Sequence, residues 1–98
     1  MTTKRPAIYI LASNHNGTLY IGVTSDLGGR ISVHKQNLLD GFTKRYGIHM
    51  LVHYEFFHTM EEAISREKKL KKFSRAKKIA LIEEANPSWN DLYDSIQN

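Results

Sequence analysis

Ninety-eight residues, 41% hydrophobic and 10% aromatic, are enough for one globular core and leave no material for a second, so a single domain over residues 1–98 is expected, with its core at about 6–93. The absence of cysteine excludes disulfides, thiolate metal sites and thiol nucleophiles and makes a reducing cytoplasmic setting the natural one, and no stretch has the length of a membrane span. The net charge of +4 is unevenly placed: Arg66, Lys68, Lys69, Lys71, Lys72, Arg75, Lys77 and Lys78 crowd into 13 residues beside one acid, Glu67. That run reads either as a surface for a polyanion or as a solvated helix face.

In chain order, residues 7–12 and 18–24 are rich in β-branched and aromatic side chains and flank Asn14-His15-Asn16-Gly17, which predicts a β-hairpin. Pairing Tyr9 with Tyr20 makes the loop residues 13–16. Both phenols then share one face, with Ile8, Ile10, Leu19 and Ile21 on the other. Ser25 is the predicted N-cap of a helix from Asp26 to about Gln36, in which Gly28 and Gly29 each cost about 1 kcal/mol relative to alanine. Packing of Leu27 and Ile31 must therefore hold the helix, and its turn of about 100° per residue points Arg30 and His34 toward the sheet with them.

Residues 37–48 have no clear period and predict a long surface loop, in which Lys44 and Arg45 join the basic run as candidates for phosphate binding. A third strand is predicted from Met50 to Phe57, then a helix from Met60 to about Phe73 opened by a Thr59/Glu62 capping box. Ser74 starts a third helix, to about Ala85, with Ala76, Ile79, Ala80 and Ile82 available for packing. Asn86-Pro87 ends it, and Trp89, Leu92 and Tyr93 are expected to fold back onto the core.

Glu67 interrupts the apolar stripe of Met60, Ala63, Ile64 and Leu70. A carboxylate facing inward needs a cation, either Arg30 or a lysine in an ion pair or a divalent metal. Cutting a phosphodiester requires an activated water and stabilisation of the charge that builds on phosphorus. Tyr9 or Tyr20 can take the proton from water with His34 as relay, provided the phenol is shifted from its reference pKa of about 10. Arg30 suits the phosphate oxygens, and Glu67 supplies one hard ligand for Mg²⁺ or Mn²⁺, ions that retain most of their water. Tyr9, Tyr20, Arg30, His34 and Glu67 are expected to converge on one concave site.

The segments Ala7-Ile8-Tyr9 and Tyr20-Ile21-Gly22-Val23-Thr24-Ser25-Asp26-Leu27, with Arg30, His34, Ala63-Ile64-Ser65-Arg66-Glu67 and Asn86-Pro87-Ser88-Trp89, resemble in order the signature of the GIY-YIG nuclease family. The likeness covers almost the whole chain and extends to the small single-domain bacterial members, which are related to the nuclease domain of the nucleotide-excision-repair excinuclease. It implies an α+β fold with a central three-stranded antiparallel sheet flanked by helices, and metal-dependent endonuclease action on DNA, in repair or in processing of unusual DNA structures. It assigns the motif tyrosines to Tyr9 and Tyr20, the arginine to Arg30, the histidine to His34, the metal-binding glutamate to Glu67 and a late active-site asparagine to Asn86. Ala7 stands where the motif has glycine, and there is no room for a separate DNA-recognition domain, so contacts to the phosphate backbone without strong sequence preference are expected. A non-catalytic module on the same fold, binding DNA or RNA, is the alternative.

Overall fold

Ala7–Ala12 is a run of six residues without one charged or amide side chain, the composition of a strand covered on both faces, and it forms the buried central strand β1. The computed structural model describes residues 5–36 and 47–96. Most of the predicted loop, with Lys44 and Arg45, lies outside the described residues. Strand β2 is Leu19–Thr24 and β3 is Met50–Phe56, and both pair antiparallel with β1 in the order β2-β1-β3. With helices α1 (Leu27–Lys35), α2 (Met60–Lys71) and α3 (Arg75–Ala85) and a 3₁₀ turn at Tyr93–Ile96, the architecture is the expected α+β fold.

The hairpin register differs from the sequence expectation by two residues. Tyr9 is opposite Gly22, and Tyr20 is opposite Leu11. Ala12 pairs with Leu19, so the loop spans residues 13–18; inside it Ser13 N–H donates to Thr18 O at 3.0 Å, Gly17 N–H donates to Asn14 O at 2.9 Å, and Asn16 takes the left-handed conformation at φ 61°. The slip is even, so it moves partners without exchanging faces. Ile8, Ile10, Ala12 and Ile21 form one core with Val52, Ala63, Leu70, Ile82 and Trp89, while Ala7, Tyr9 and Leu11 form another with Leu27, Ile31, Ile48 and Leu51. Helices α2 and α3 therefore cover one face of the sheet, and α1 with the C-terminal segment covers the other.

Three helix details correct the sequence expectations. Asp26, not Ser25, caps α1: its carboxylate accepts from Gly29 N–H at 3.2 Å, and Thr24 Oγ1 in turn accepts from Asp26 N–H at 3.0 Å. The stripe on α2 is narrower than expected, because Ala63 and Leu70 are buried but Ile64 is 37% exposed. On α3 only Ile82 is fully buried, and Ala76 and Ala80 are exposed. The Thr59/Glu62 capping box and the Ser74 cap form as expected.

Two polar joints tie the layers together. Glu55 on β3 accepts a forked pair of bonds from Arg66 on α2, at 2.9 and 3.1 Å, and pairs with His53 Nε2 at 2.8 Å. At the other end of the sheet Arg75 donates to the carbonyls of Asn16 and Gly17 at 2.6 and 2.8 Å. The ring of His15 there stacks on Trp89, whose indole N–H donates to Glu83 at 2.7 Å. Among the described residues no helix is long and apolar enough to cross a membrane.

Burial pushes the Glu55 carboxyl upward, but the Arg66 and His53 hydrogen bonds outweigh it and hold the group below its ordinary 4.5. A folded-state value below the unfolded one adds stability above the unfolded pKa that is lost as pH falls through the folded pKa. Thermal melts between neutral and acidic pH are expected to show a flatter loss of stability below about pH 4.5 in Glu55→Gln than in the wild type.

Candidate functional site

Tyr9 starts from the middle of the buried central strand, and its ring lies over the backbone of β2. A Cβ placed on Gly22 would meet the Tyr9 hydroxyl at 2.3 Å and its ring carbon at 2.4 Å. Glycine at this position is therefore what gives the phenol room, a role for the last residue of Tyr20-Ile21-Gly22 that only the fold makes visible. Tyr20, two residues earlier on β2, is the diagonal neighbour, with ring centroids 6.4 Å apart. The expectation that both tyrosines share a face holds, although they are not direct partners.

His34 enters from the last turn of α1 and is 4% exposed. Its Nε2 is 3.3 Å from the Tyr9 hydroxyl, and its ring lies 5.8 Å from that of Tyr9 and 5.7 Å from that of Tyr20. The three rings form one cluster. Nδ1 of His34 is buried without a protein hydrogen-bond partner, so this imidazole has one polar atom left for a water or a ligand. Arg30, one turn earlier on α1, is exposed, which corrects the inward orientation expected for it. Its charge is nevertheless felt by both Tyr9 and His34.

The electrostatics separate the members of the cluster. Burial drives the Tyr9 phenol well above its ordinary 10, the Tyr20 and Glu67 charges add to that rise, and Arg30 opposes it. Burial and then Arg30 push His34 below its ordinary 6.5. At neutral pH the pair is an un-ionised phenol and an un-ionised imidazole. One of the two neutral groups donates to the other, and the ring tautomer decides which.

Glu67 comes from α2, on the opposite face of the sheet from α1, and its side chain is 14% exposed. Its carboxylate lies 3.3 Å from Lys71 Nζ, one helical turn on, so the lysine partner considered from the sequence is present. Asn86 is not a member of the cluster. Its amide donates to Val52 O at 3.1 Å and Asn90 O at 2.9 Å and accepts from Asn90 N–H at 3.0 Å, which latches α3 to β3 and the C-terminal segment.

The basic run divides in the same way. Arg66 is engaged by Glu55, Arg75 by the hairpin loop, Lys71 by Glu67, and Lys77 sits 4.5 Å from the centre of the Phe73 ring. Lys68, Lys69 and Lys72 are exposed, and half-buried Lys78 lines a groove of about 480 Å³ with Arg75 and the hairpin loop.

A profile of the GIY-YIG catalytic domain matches residues 5–80. A UPF0213 protein of Bacillus velezensis is 34% identical over 93 residues, spanning 95% of this chain and 93% of its own, and one of Staphylococcus saprophyticus is 40% identical over 77 residues, spanning 79% and 93%. The solution NMR structure of a UPF0213 protein from Bacillus halodurans superposes with a TM-score of 0.56 at 30% identity, covering 89% of this chain and 92% of that one. The signature tyrosines packed over a required glycine, the fold around them and these likenesses agree: the chain belongs to the GIY-YIG family, among the small UPF0213 proteins.

Proposed function

We propose that this chain is a divalent-metal-dependent endonuclease that hydrolyses DNA phosphodiester bonds, acting in repair or in processing of unusual DNA structures. The observation that carries the reading is the Tyr9–His34 hydrogen bond inside a cluster with Tyr20, under the field of Arg30. Apolar packing requires none of these polar atoms to meet.

The two tyrosines take different parts. Tyr9 is 2% exposed and holds its proton firmly, so it serves as a fixed hydrogen-bond partner that orients His34 rather than as the group that meets water. Half-buried Tyr20 is the phenol that contacts the attacking water, and neutral His34 accepts the proton behind it through Nδ1, with Nε2–H donating to the Tyr9 oxygen. Arg30, permanently charged and exposed, binds the non-bridging phosphate oxygens and stabilises the charge that develops there. Glu67 supplies a single carboxylate, and among the described residues no three His, Asp or Glu side chains gather. That donor set fits Mg²⁺ or Mn²⁺, which are commonly held by one or two carboxylates with retained waters. The bound ion would add Lewis-acid stabilisation of the phosphate. Lys71 must release Glu67 to it, and the observed ion pair is what favours the second reading, a nucleic-acid-binding module without turnover. Glu67→Gln separates the two: loss of Mg²⁺-dependent plasmid cleavage with DNA affinity retained supports the nuclease, and a wild type that binds without cutting any DNA supports the module.

Tyr20→Phe is expected to lower kcat by about 10²-fold or more with KM little changed, from the usual size of proton-transfer catalysis. Gly22→Ala is expected to do the same by displacing the Tyr9 ring, while the hairpin itself survives. Steady-state cleavage of a supercoiled plasmid measures both.

Lys68, Lys69 and Lys72 are the phosphate contacts of the basic run, and Arg66 and Arg75 serve the fold. Replacing the three lysines with alanine should flatten the slope of log K against log salt by about 2.7, at roughly 0.9 per contact on duplex DNA. Arg66→Ala should lower the melting temperature and leave that slope unchanged. Fluorescence anisotropy with labelled duplex at graded salt distinguishes these outcomes.

A further inference from the structure

His34 serves the proposed chemistry only while its imidazole stays against the Tyr9 hydroxyl, and α1 is a poor helix to rely on. It has nine residues, two of them Gly28 and Gly29, so its own propensity does not hold it in place. Its C-terminal end is anchored instead by one carboxylate. Lys35, the residue after His34, forms an ion pair with Asp91 Oδ2, donates to His49 O at 3.3 Å, and lies 5.1 Å from the centre of the Tyr93 ring. The other oxygen, Asp91 Oδ1, accepts from Leu51 N–H at 3.2 Å and from Tyr93 N–H at 3.1 Å. Leu92 N–H then donates to Leu51 O at 2.7 Å, and Leu92, Tyr93 and Ile96 pack onto the core that contains Tyr9 and Ile31.

We propose that Asp91 is a positioning residue for the reaction: through Lys35 it fastens the last turn of α1 to the start of β3 and to the C-terminal segment, and so keeps His34 within hydrogen-bonding reach of Tyr9. This rests on the reading of the Tyr9–His34 pair as part of a cleavage site. The ion pair by itself is a weak hold, because its side chains are 34% and 26% exposed and such pairs contribute little to stability. What distinguishes Asp91 is that a helix end, a strand and the terminal segment all meet on its two oxygens. Leu51 pairs with Leu11 on β1, and Leu11 pairs with Tyr20 on β2, so the carboxylate is referenced to the strands that carry both phenols.

The test is an NMR titration of the His34 ring in the full-length protein, its signal assigned by loss in His34→Gln. In the wild type the midpoint should lie below the ordinary 6.5. Asp91→Asn keeps an oxygen for both backbone N–H groups but removes the charge that holds Lys35, and Lys35→Met removes the same link from the other side. In each, the last turn of α1 loosens, the imidazole gains water, and the midpoint should rise by about one pH unit. Plasmid cleavage should lose about 10-fold in kcat at unchanged KM, and Asp91→Glu should recover part of it.

A role confined to stability would lower the melting temperature and leave the His34 midpoint where it is in the wild type. That result, in folded Asp91→Asn and Lys35→Met, overturns the proposal. Should Asp91→Asn fail to fold, Lys35→Met retains every backbone bond to Asp91 and decides the matter. A wild type that cuts no DNA overturns the nuclease reading, and the His34 titration still tests the positioning.

Discussion

Everything at the site depends on a phenol kept inside the protein. Tyr9 sits on a strand covered on both faces, where an ionised oxygen would be strongly penalised, and its hydroxyl must find a partner in that environment. The partner is an imidazole that the same burial keeps neutral. Gly22 leaves space for the ring, α1 brings His34 to it, and Tyr20 closes the cluster at a more open position. A signature that looks like two tripeptides is, physically, one ring and the arrangement that lets it be buried.

What was legible in the sequence follows from periodicity. A strand alternates with period two and a helix repeats every 3.6 residues, so which residues of one element share a side can be read without partners, whereas the shared face of Tyr9 and Tyr20 spans two strands and survives because the register is off by an even number. Register is different, because it depends on the conformation of residues 13–18. The bonds that close that loop, including one through the Ser13 hydroxyl to Thr18 N–H, leave no periodic trace. The choice between Ser25 and Asp26 as cap was a matter of one residue, decided by Thr24 accepting from the Asp26 backbone.

Charges were the hardest to place. From the sequence, eight basic residues in one run look equivalent, yet their long side chains reach partners far away in the chain. Arg66 finds Glu55 across to β3, and Arg75 finds carbonyls 58 and 59 residues earlier. Both are arginines, whose planar fork suits fixed geometry, whereas Lys68, Lys69 and Lys72 are exposed and carry compact charges on flexible stems. Asn86 shows the same limit: next to Pro87 it reads as a helix stop, and only the fold reveals that its amide bridges to Val52. Asp91 has no sequence signal of its own, being one of two acids, with Asp94, among the residues that follow Asn86-Pro87.

The joint between the hairpin tip and the turn after α3 has a practical side. The chain contains a single tryptophan, Trp89, held at φ 55°, bonded to Glu83 and stacked at 5.4 Å on His15 of the loop that Arg75 also grips. Its emission therefore comes from one place only. An undocked hairpin tip would uncover one side of the indole, so the protein carries its own fluorescent gauge of whether the β1–β2 loop is seated, readable without any label.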